Sequence, residues 1–267
     1  MKEFGLQLWS IREHFKTVED TKDAFSRIAA MGYTQIQTAG TYDYISPAEF
    51  RSLADAYGLT VVGTHYSFDR IRDHFAETVA YHRALGTNEI GIGGYATPTF
   101  ASLQEFIKEF NRLGKAYAKE GFVLSYHNHS GEFSRQFREI EGKCKFDYLV
   151  DGLDPETTCF NLDSAWVHLA GVDVRATIER LRGRINILHL KDVEADVPYM
   201  HGDALVMRGP RRIEIGRGNM NFRDIIQTGE ACGIKYFVVE DEVYSTGVPM
   251  ESVAMSAAYI RENLLEV

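Results

Sequence analysis

Eight short apolar segments alternate along the chain with longer segments of helical periodicity, and this alternation is the strongest constraint on the fold. The apolar segments are rich in β-branched and aromatic residues, as expected of strands buried on both faces of a parallel sheet. Strands that alternate with helices predict an α/β fold. The candidate strands cover residues 4–9, 34–39, 59–65, 88–94, 122–128, 158–163, 185–192 and 235–242.

Several segments between the strands carry apolar residues at i, i+3 and i+4 and end at a glycine, as a helix with a C-terminal cap would. One of them begins with a capping box, in which Ser46 takes the N-cap position, Pro47 the first helical position and Glu49 the third. These helix candidates cover residues 18–32, 46–58, 102–121 and 221–233.

The repetition predicts one (β/α)8 barrel, a TIM barrel, that forms a single domain over residues 1–267. A doubly wound open sheet is the competing fold, but no GxGxxG motif follows the first strand, and GIGGYA at 91–96 does not fit that spacing. Residues 193–213 interrupt the alternation and are predicted to form a long loop after the seventh strand. Such a loop is a candidate lid over a site or a candidate contact in a homo-oligomer.

The charge and the cysteines argue against several classes of protein. The net charge of −9 repels phosphodiester backbones and anionic membranes, so we expect neither a nucleic-acid nor a membrane partner. Cys144, Cys159 and Cys232 have no CxxC spacing, which argues against a disulfide framework or a thiolate zinc site. The sequence shows no signal-peptide core and no run of about 18 apolar residues. A soluble cytoplasmic protein is therefore the expectation.

Polar residues collect at the ends of five candidate strands. In a (β/α)8 barrel the carboxyl ends of the strands meet on one face, where active sites are built. A buried ionisable group needs a partner, and one divalent cation would satisfy several such groups together. The residues at these strand ends are His65, His127, Asn128, His129, Asp163, His189, Lys191, Asp192, Glu240, Asp241 and Glu242.

Five motifs occur in the same order as in a known family: YHNHSGEF, NLDSAWVHLAG, GRINILHLKD, EIGRGNMNF and FVVEDE. With the opening GLQLWSIRE, they resemble the sugar phosphate isomerase/epimerase-like TIM barrels of the xylose isomerase-like superfamily, which includes ketose 3-epimerases and inosose dehydratases. The resemblance spans nearly the whole chain. It implies a TIM barrel, one divalent metal ion and carbohydrate chemistry, and it leaves the substrate open.

The resemblance also implies a set of metal ligands. Ketose epimerases of the family have a glutamate before an Asn-His pair on the fifth strand, whereas this chain has His127 at that place. We therefore assign the position to His127, as in members with Tyr-His-x-His, and keep Glu132 as its rival. The missing glutamate argues against a simple two-glutamate epimerisation. The implied ligands are His127, Asp163, His189 and Glu240.

Several of these residues have a structural alternative. A single histidine at a strand end is usually a structural residue, but here four strands supply ligand-type residues together. Asp163 is also placed to cap the following helical turn. Glu240 would pair with Lys191 across neighbouring strands, and Glu242 is the fallback ligand. Lys191 would form a Schiff base in a barrel aldolase, but beside an aspartate and a metal it stays protonated, so we expect it to donate to a substrate oxygen.

The substrate is expected to contact aromatic and polar side chains around the metal. Trp9 and Trp166 would offer apolar faces to a sugar, although aromatic residues near a barrel mouth also serve packing alone. His129 shares the side of His127 in an extended strand, as a substrate contact or as a supporting group. The expected substrate contacts are Trp9, His65, His129, Trp166, His168 and Lys191.

These residues predict a metal-dependent enzyme that acts next to the carbonyl of a sugar, keto-sugar or cyclitol through an enediolate. Glu240 is the first candidate base, with His127 or His129 as the second proton carrier. Reprotonation gives isomerisation or epimerisation, whereas departure of a β-hydroxyl makes the protein a dehydratase, which is a lyase. Mn²⁺, Co²⁺ or Mg²⁺ suits this chemistry, and Zn²⁺ also fits the ligands.

Three further alternatives stay open. A phosphorylated substrate would need Arg208, Arg211 and Arg212 from the long loop, because no Gly-rich phosphate-binding loop follows strands seven and eight. A zinc endonuclease of the same superfamily would need more ligands and a basic groove, and the net charge argues against that groove. A non-catalytic carbohydrate-binding barrel would keep the metal site without turnover.

Overall fold

Eight parallel strands close into a barrel in the computed structural model, so the predicted (β/α)8 barrel is confirmed. The structure describes residues 1–134, 142–195, 199–201, 203–206 and 209–265. The barrel strands are β1 (Gly5–Gln7), β2 (Gln35–Ala39), β3 (Thr60–His65), β4 (Glu89–Ile92), β5 (Val123–His127), β6 (Thr158–Asp163), β7 (Ile185–Leu190) and β12 (Tyr236–Val239). Each strand pairs in parallel with its neighbours, and β1 pairs with β12 to close the ring.

Amphipathic helices pack their apolar sides against the barrel. The predicted capping box is confirmed: Ser46 Oγ accepts from the Glu49 amide at 3.3 Å, and the Glu49 carboxylate accepts from the Ser46 amide at 3.2 Å. The helices are α1 (Val18–Met31), α2 (Pro47–Ala56), α3 (Phe68–Asp73), α4 (Phe75–Leu85), α5 (Phe100–Ala118), α6 (Lys145–Gly152), α7 (Ser164–Leu169), α8 (Val174–Arg180), α9 (Phe222–Ala231) and α10 (Pro249–Asn263). Among the described residues, no helix is long and apolar enough to span a membrane.

The first strand is shorter than its sequence predicts. The apolar pattern indicates a strand over 4–9, but β1 ends at Gln7 and a 3-10 helix, Leu8–His14, follows it. The Gln7 side chain caps this helix, because its Oε1 atom accepts from the Trp9 amide at 3.2 Å. The turn takes Trp9 out of the sheet and leaves it 44% exposed at the carboxyl end of the barrel.

The segment predicted as a long loop at 193–213 contains two short antiparallel pairs in its described part. Strand β8 (Asp192–Glu194) pairs with β11 (Arg211–Ile213), and β9 (Tyr199–His201) pairs with β10 (Ala204–Val206). Its residues 196–198, 202 and 207–208 lie outside the described residues. The predicted seventh strand is also divided, since β7 ends at Leu190 and Asp192 already belongs to β8.

The barrel interior is apolar at mid-height and polar above. Val62, Ile187 and Val238 form a small buried cluster apart from the main core between barrel and helices. Side chains two positions apart on a strand point to the same side. His189 and Glu240 follow Ile187 and Val238 by two positions, so the polar side chains at the carboxyl end rest on this apolar layer.

Candidate metal centre

Four buried side chains converge at the carboxyl end of the barrel, and they are the four predicted metal ligands. His127, Asp163 and His189 are contributed by the neighbouring strands β5, β6 and β7, and Glu240 follows β12. One ligand atom from each residue lies within 4.8 Å of the others. The sheet register causes this convergence, because Asp163 pairs with His189 and the Glu240 amide donates to the Leu190 carbonyl at 3.1 Å.

The backbone of Asp163 is held by the side chain of Asn128, which directly follows the neighbouring strand β5. Asn128 Oδ1 accepts from the Asp163 amide at 3.0 Å, and Asn128 Nδ2 donates to the Asp163 carbonyl at 3.4 Å. Asp163 Oδ1 accepts from the Trp166 amide at 3.1 Å, so the residue is indeed an N-cap. Its other oxygen, Oδ2, is buried without a hydrogen bond and faces the cluster. Capping and a ligand role are therefore compatible.

Lys191 places an ammonium group among the carboxylates. Its Nζ atom lies 3.1 Å from Asp163 Oδ2, 2.8 Å from Glu240 Oε2 and 2.9 Å from Glu242 Oε2. Burial lowers the pKa of Lys191, but these three carboxylates outweigh burial and raise that pKa above its usual value. A lysine that stays protonated is not a nucleophile, so this environment opposes a Schiff base.

The two acidic ligands respond differently to the same surroundings. Burial raises the pKa of Asp163 above its usual value, although Lys191 opposes the shift. Burial would also raise the pKa of Glu240, but Lys191 and His189 hold it well below its usual value. Glu240 is therefore a carboxylate at neutral pH, as metal coordination requires.

Three imidazole rings pack together beside the carboxylates. The ring of His127 lies 4.8 Å from that of His65 and 4.9 Å from that of His189. Burial and neighbouring histidines lower the pKa of His127 well below its usual value and lower that of His65 to about 3. Both rings are therefore neutral at pH 7. His65 Nε2 faces Asn161 Nδ2 at 2.8 Å, whereas His127 Nδ1 is buried without a hydrogen bond.

The donor set fits one divalent ion. Two neutral imidazoles and two carboxylates balance a charge of +2. His127 Nδ1 is buried without a hydrogen bond, and Asp163 Oδ2 has the Lys191 ammonium beside it but no directed hydrogen bond, so both atoms are available to an ion. Metal–ligand bonds of about 2.0–2.2 Å would hold these atoms closer together than the observed limit of 4.8 Å, so the side chains would move inward around an ion. His65, His127 and His189 form a second, overlapping group with ligand spacing.

Glu132, the rival for the ligand position on the fifth strand, lies elsewhere. It belongs to a short 3-10 helix, Ser130–Phe133. Its Oε1 atom accepts from the Tyr126 hydroxyl at 2.8 Å, and its Oε2 atom accepts from the His129 amide at 2.9 Å. The structure thus uses Glu132 to shape the turn after β5, and His127 is the residue that joins the cluster.

The predicted substrate contacts divide into two groups. Trp166 lies beside the cluster, with the Lys191 ammonium 5.3 Å from its ring centroid and the His129 ring 5.4 Å away. His129 is half-buried and also contacts the His127 ring at 4.8 Å. His168 is exposed and lines a groove with residues from the start of α8 and α9, so the structure does not bring it to the cluster.

The arginines of the long loop already have partners. Arg212 pairs with Glu242 and lies over the Trp166 ring, 4.6 Å from its centroid. Arg211 is exposed and pairs with Glu194. Arg208 lies outside the described residues. A phosphate group would therefore have to compete with carboxylates for Arg211 and Arg212.

Sequence reasoning assigned no role to the buried amides that surround the ligands. Asn128 holds Asp163 and Asn161 contacts His65, as described above. Gln7 and Gln37 are fully buried on β1 and β2, and Gln37 contacts His189. The sequence did contain an indication of Gln7 and Gln37, because a glutamine within an apolar strand needs a buried hydrogen-bond partner.

A closed parallel barrel carries, at its carboxyl end, a buried His, Asp and Glu cluster with the spacing of a metal site, and this combination defines a TIM barrel with a candidate metal centre. The chain belongs to the xylose isomerase-like TIM barrel family, whose model matches residues 25–263. The resemblance found in the sequence motifs is thus confirmed.

Proteins of similar sequence include inosose dehydratases. An inosose dehydratase from Geobacillus thermodenitrificans strain NG80-2 is 25% identical, over 90% of this chain and 89% of that protein. A second one, from Erwinia tasmaniensis, is 23% identical over 89% of this chain and 88% of that protein. Among solved structures, a sugar phosphate isomerase/epimerase from Parabacteroides distasonis superimposes with a TM-score of 0.79 at 24% identity, covering 98% of this chain and 94% of that one. The structural likeness establishes the fold.

Proposed function

We propose that this protein is a divalent-metal-dependent enzyme that isomerises or epimerises a sugar, keto-sugar or cyclitol next to its carbonyl group. The observation that carries the proposal is the convergence of four ligand atoms from four strand ends within 4.8 Å. Membership of the xylose isomerase-like family supports it. A bound ion would supply Lewis-acid stabilisation of the negative charge that develops on the carbonyl oxygen.

His127, Asp163, His189 and Glu240 would hold the ion, and proton transfer falls to a neighbouring residue. Glu240 is the first candidate base from the sequence, but a group whose pKa is held well below its usual value accepts a proton weakly at neutral pH. His129 is half-buried beside His127 and Trp166 and is not one of the clustered ligands. We therefore assign proton transfer to His129 and keep Glu240 as a ligand.

Lys191 and the two tryptophans would bind the substrate. The Lys191 ammonium is protonated and stands at the edge of the ligand cluster, so it is suited to donate to a substrate hydroxyl or oxyanion. Trp166 offers a ring beside this ammonium. Trp9 is exposed at the carboxyl end of β1, where an apolar ring face would stack on a sugar.

Dehydration is the second candidate reaction on the same site. The observation that favours it is that the two relatives described above are both inosose dehydratases. The first step would be the same proton removal beside a carbonyl, followed by departure of a β-hydroxyl in place of reprotonation. A histidine at position 127, where ketose epimerases of the family have a glutamate, is consistent with a proton-transfer arrangement different from theirs.

The test is to incubate the Mn²⁺-loaded protein in D2O with panels of keto-sugars and inososes, and to follow the substrates by NMR and mass spectrometry. Solvent deuterium beside the carbonyl without loss of mass supports isomerisation or epimerisation. A product lighter by one water supports dehydration. A ligand that binds yet shows neither exchange nor water loss would contradict the enzyme and leave a carbohydrate-binding barrel. Tight binding of abasic-site DNA at low salt would favour an endonuclease instead.

A further inference from the structure

Two buried glutamines on the first two strands lead to the histidine of the candidate metal centre. Gln7 on β1 and Gln37 on β2 are both fully buried. Gln7 Nε2 donates to Gln37 Oε1 at 2.9 Å, and His189 Nε2 lies 2.6 Å from the same oxygen. The opposite ring nitrogen, His189 Nδ1, lies 3.1 Å from Glu240 Oε2 and 3.9 Å from Asp163 Oδ2.

These contacts determine which nitrogen of His189 carries the hydrogen. The Gln7 amide group donates to Gln37, so the Gln37 atom that it meets is the oxygen, Oε1. The same oxygen faces His189 Nε2. Because this oxygen can only accept, His189 Nε2 must carry the hydrogen. Gln7 is itself oriented, because its Oε1 atom accepts from the Trp9 amide at 3.2 Å. In the neutral ring the lone pair is then on Nδ1, directed at two carboxylate oxygens.

A lone pair that faces two carboxylate oxygens is unfavourable, and a divalent ion bound between the ring and these oxygens would turn the repulsion into coordination. We propose that Gln37 is a positioning residue that fixes His189 as the Nε2–H tautomer and so makes Nδ1 the donor atom for the divalent ion. The inference rests on the proposed metal site. A hydrogen bond from the distal nitrogen of a metal-binding histidine commonly fixes its tautomer and orientation.

Two details of Gln37 support a role for its carbonyl oxygen. Its Nε2 atom is buried without a hydrogen bond, which is energetically unfavourable. Its Oε1 atom, by contrast, contacts both Gln7 and His189. The amide is also neutral. A carboxylate at this position would add a further negative charge to a site that already holds Asp163, Glu240 and Glu242 around one ammonium.

The test compares Mn²⁺ affinity in three variants, measured from the signal of free Mn²⁺ by electron paramagnetic resonance with the full-length protein. Gln37→Leu should bind Mn²⁺ about 10- to 100-fold more weakly than the wild type. Gln37→Glu, which keeps an acceptor oxygen, should recover most of the affinity. Gln35→Leu is the matched control, because Gln35 lies two residues earlier on β2 and donates to Glu3 at 3.1 Å, away from the site.

The outcomes separate this inference from the proposed function. Equal Mn²⁺ affinity in Gln37→Leu and the wild type would overturn the role of Gln37 and leave the metal site standing. No Mn²⁺ binding by the wild type would overturn the metal site and the inference together. Long-range ¹H–¹⁵N spectra of the wild type loaded with diamagnetic Mg²⁺, with His189 assigned through His189→Gln, should show hydrogen on Nε2 alone. Hydrogen on Nδ1 would refute the tautomer even if Gln37→Leu fails to fold.

Discussion

Asp163 and Asp192 are both buried at the carboxyl ends of neighbouring barrel strands, but the hydrogen-bond partners of their carboxylates differ. Asp192 Oδ1 accepts from the amides of Val193 and Met220 at 2.8 and 3.2 Å. Its Oδ2 atom accepts from the amides of Gly216 and Gly218 at 3.0 and 2.9 Å. Four backbone donors therefore complete Asp192.

Asp163 is left incomplete by comparison. One of its oxygens accepts from a single amide, and the other makes an ion contact with Lys191 without a directed hydrogen bond. Because buried polar groups are normally satisfied, an incomplete carboxylate indicates a missing partner, whereas a complete one indicates a structural anchor. The difference distinguishes a candidate metal ligand, Asp163, from a structural aspartate, Asp192, that anchors the loop at 214–220.

The largest effect is expected for Asp163→Ala. Loss of a ligand oxygen should remove the ion and lower turnover by about 10³-fold or more, while the barrel remains folded. Elemental analysis and circular dichroism on the same sample check both parts, and Glu240→Ala should behave alike. Full metal occupancy in either variant would refute the ligand assignment.

Asp192→Ala should have the opposite profile. Removal of the carboxylate leaves four backbone amides without their acceptor, which we expect to cost about 3–5 kcal/mol in the free energy of unfolding. Urea denaturation measures this loss. The folded fraction should bind Mn²⁺ nearly as well as the wild type. Loss of the ion without loss of stability would instead make Asp192 a ligand and contradict its structural role.

Gly218→Ala tests the close approach of the anchored loop. An added Cβ at Gly218 would lie 2.3 Å from Asp192 Oδ1 and 2.4 Å from the Val193 carbonyl, so the loop must move. We expect a destabilisation of about 2 kcal/mol by thermal or urea unfolding. Gly131→Ala is the control, because nothing lies within 4 Å of its added Cβ. Equal stability of the two variants would show that the loop is not held tightly.

Glu89 on β4 supplies a third, intermediate case, with the smallest expected effect. Burial raises the pKa of this carboxyl to about 7, although the neighbouring Ser125 and Asn186 side chains oppose the shift. Between the usual glutamate pKa and about 7, the folded protein holds more protons than the unfolded chain, so stability should fall as the pH rises through this window. Glu89→Gln should remove about 1–2 kcal/mol of that fall. Urea unfolding at pH 5 and pH 8 measures it, and parallel pH profiles would contradict the assignment.

The sequence predicted the strands and the candidate ligands, but it did not predict the hydrogen bonds that anchor Asp192 or the end of β1. The apolar runs located the strands, and the polar residues at their ends located the face of the barrel. The resemblance to a known family then singled out His127, Asp163, His189 and Glu240 among those residues. The anchoring of Asp192 was out of reach, because three of its four partners are backbone amides 24 to 28 residues further on, in a loop whose path the sequence pattern does not describe. The end of β1 at Gln7 was missed because a side-chain cap competed with the apolar strand pattern.

The positions of the two tryptophans have a practical consequence. The chain has two tryptophans in all, Trp9 and Trp166, and both lie at the carboxyl end of the barrel. Trp166 touches the Lys191 and Arg212 cations, and Trp9 lies under the Arg12 guanidinium at 4.4 Å. Tryptophan fluorescence, excited selectively over the 14 tyrosines, therefore originates entirely at the carboxyl end of the barrel. An unlabelled titration with ions or sugars would report on that end of the barrel directly.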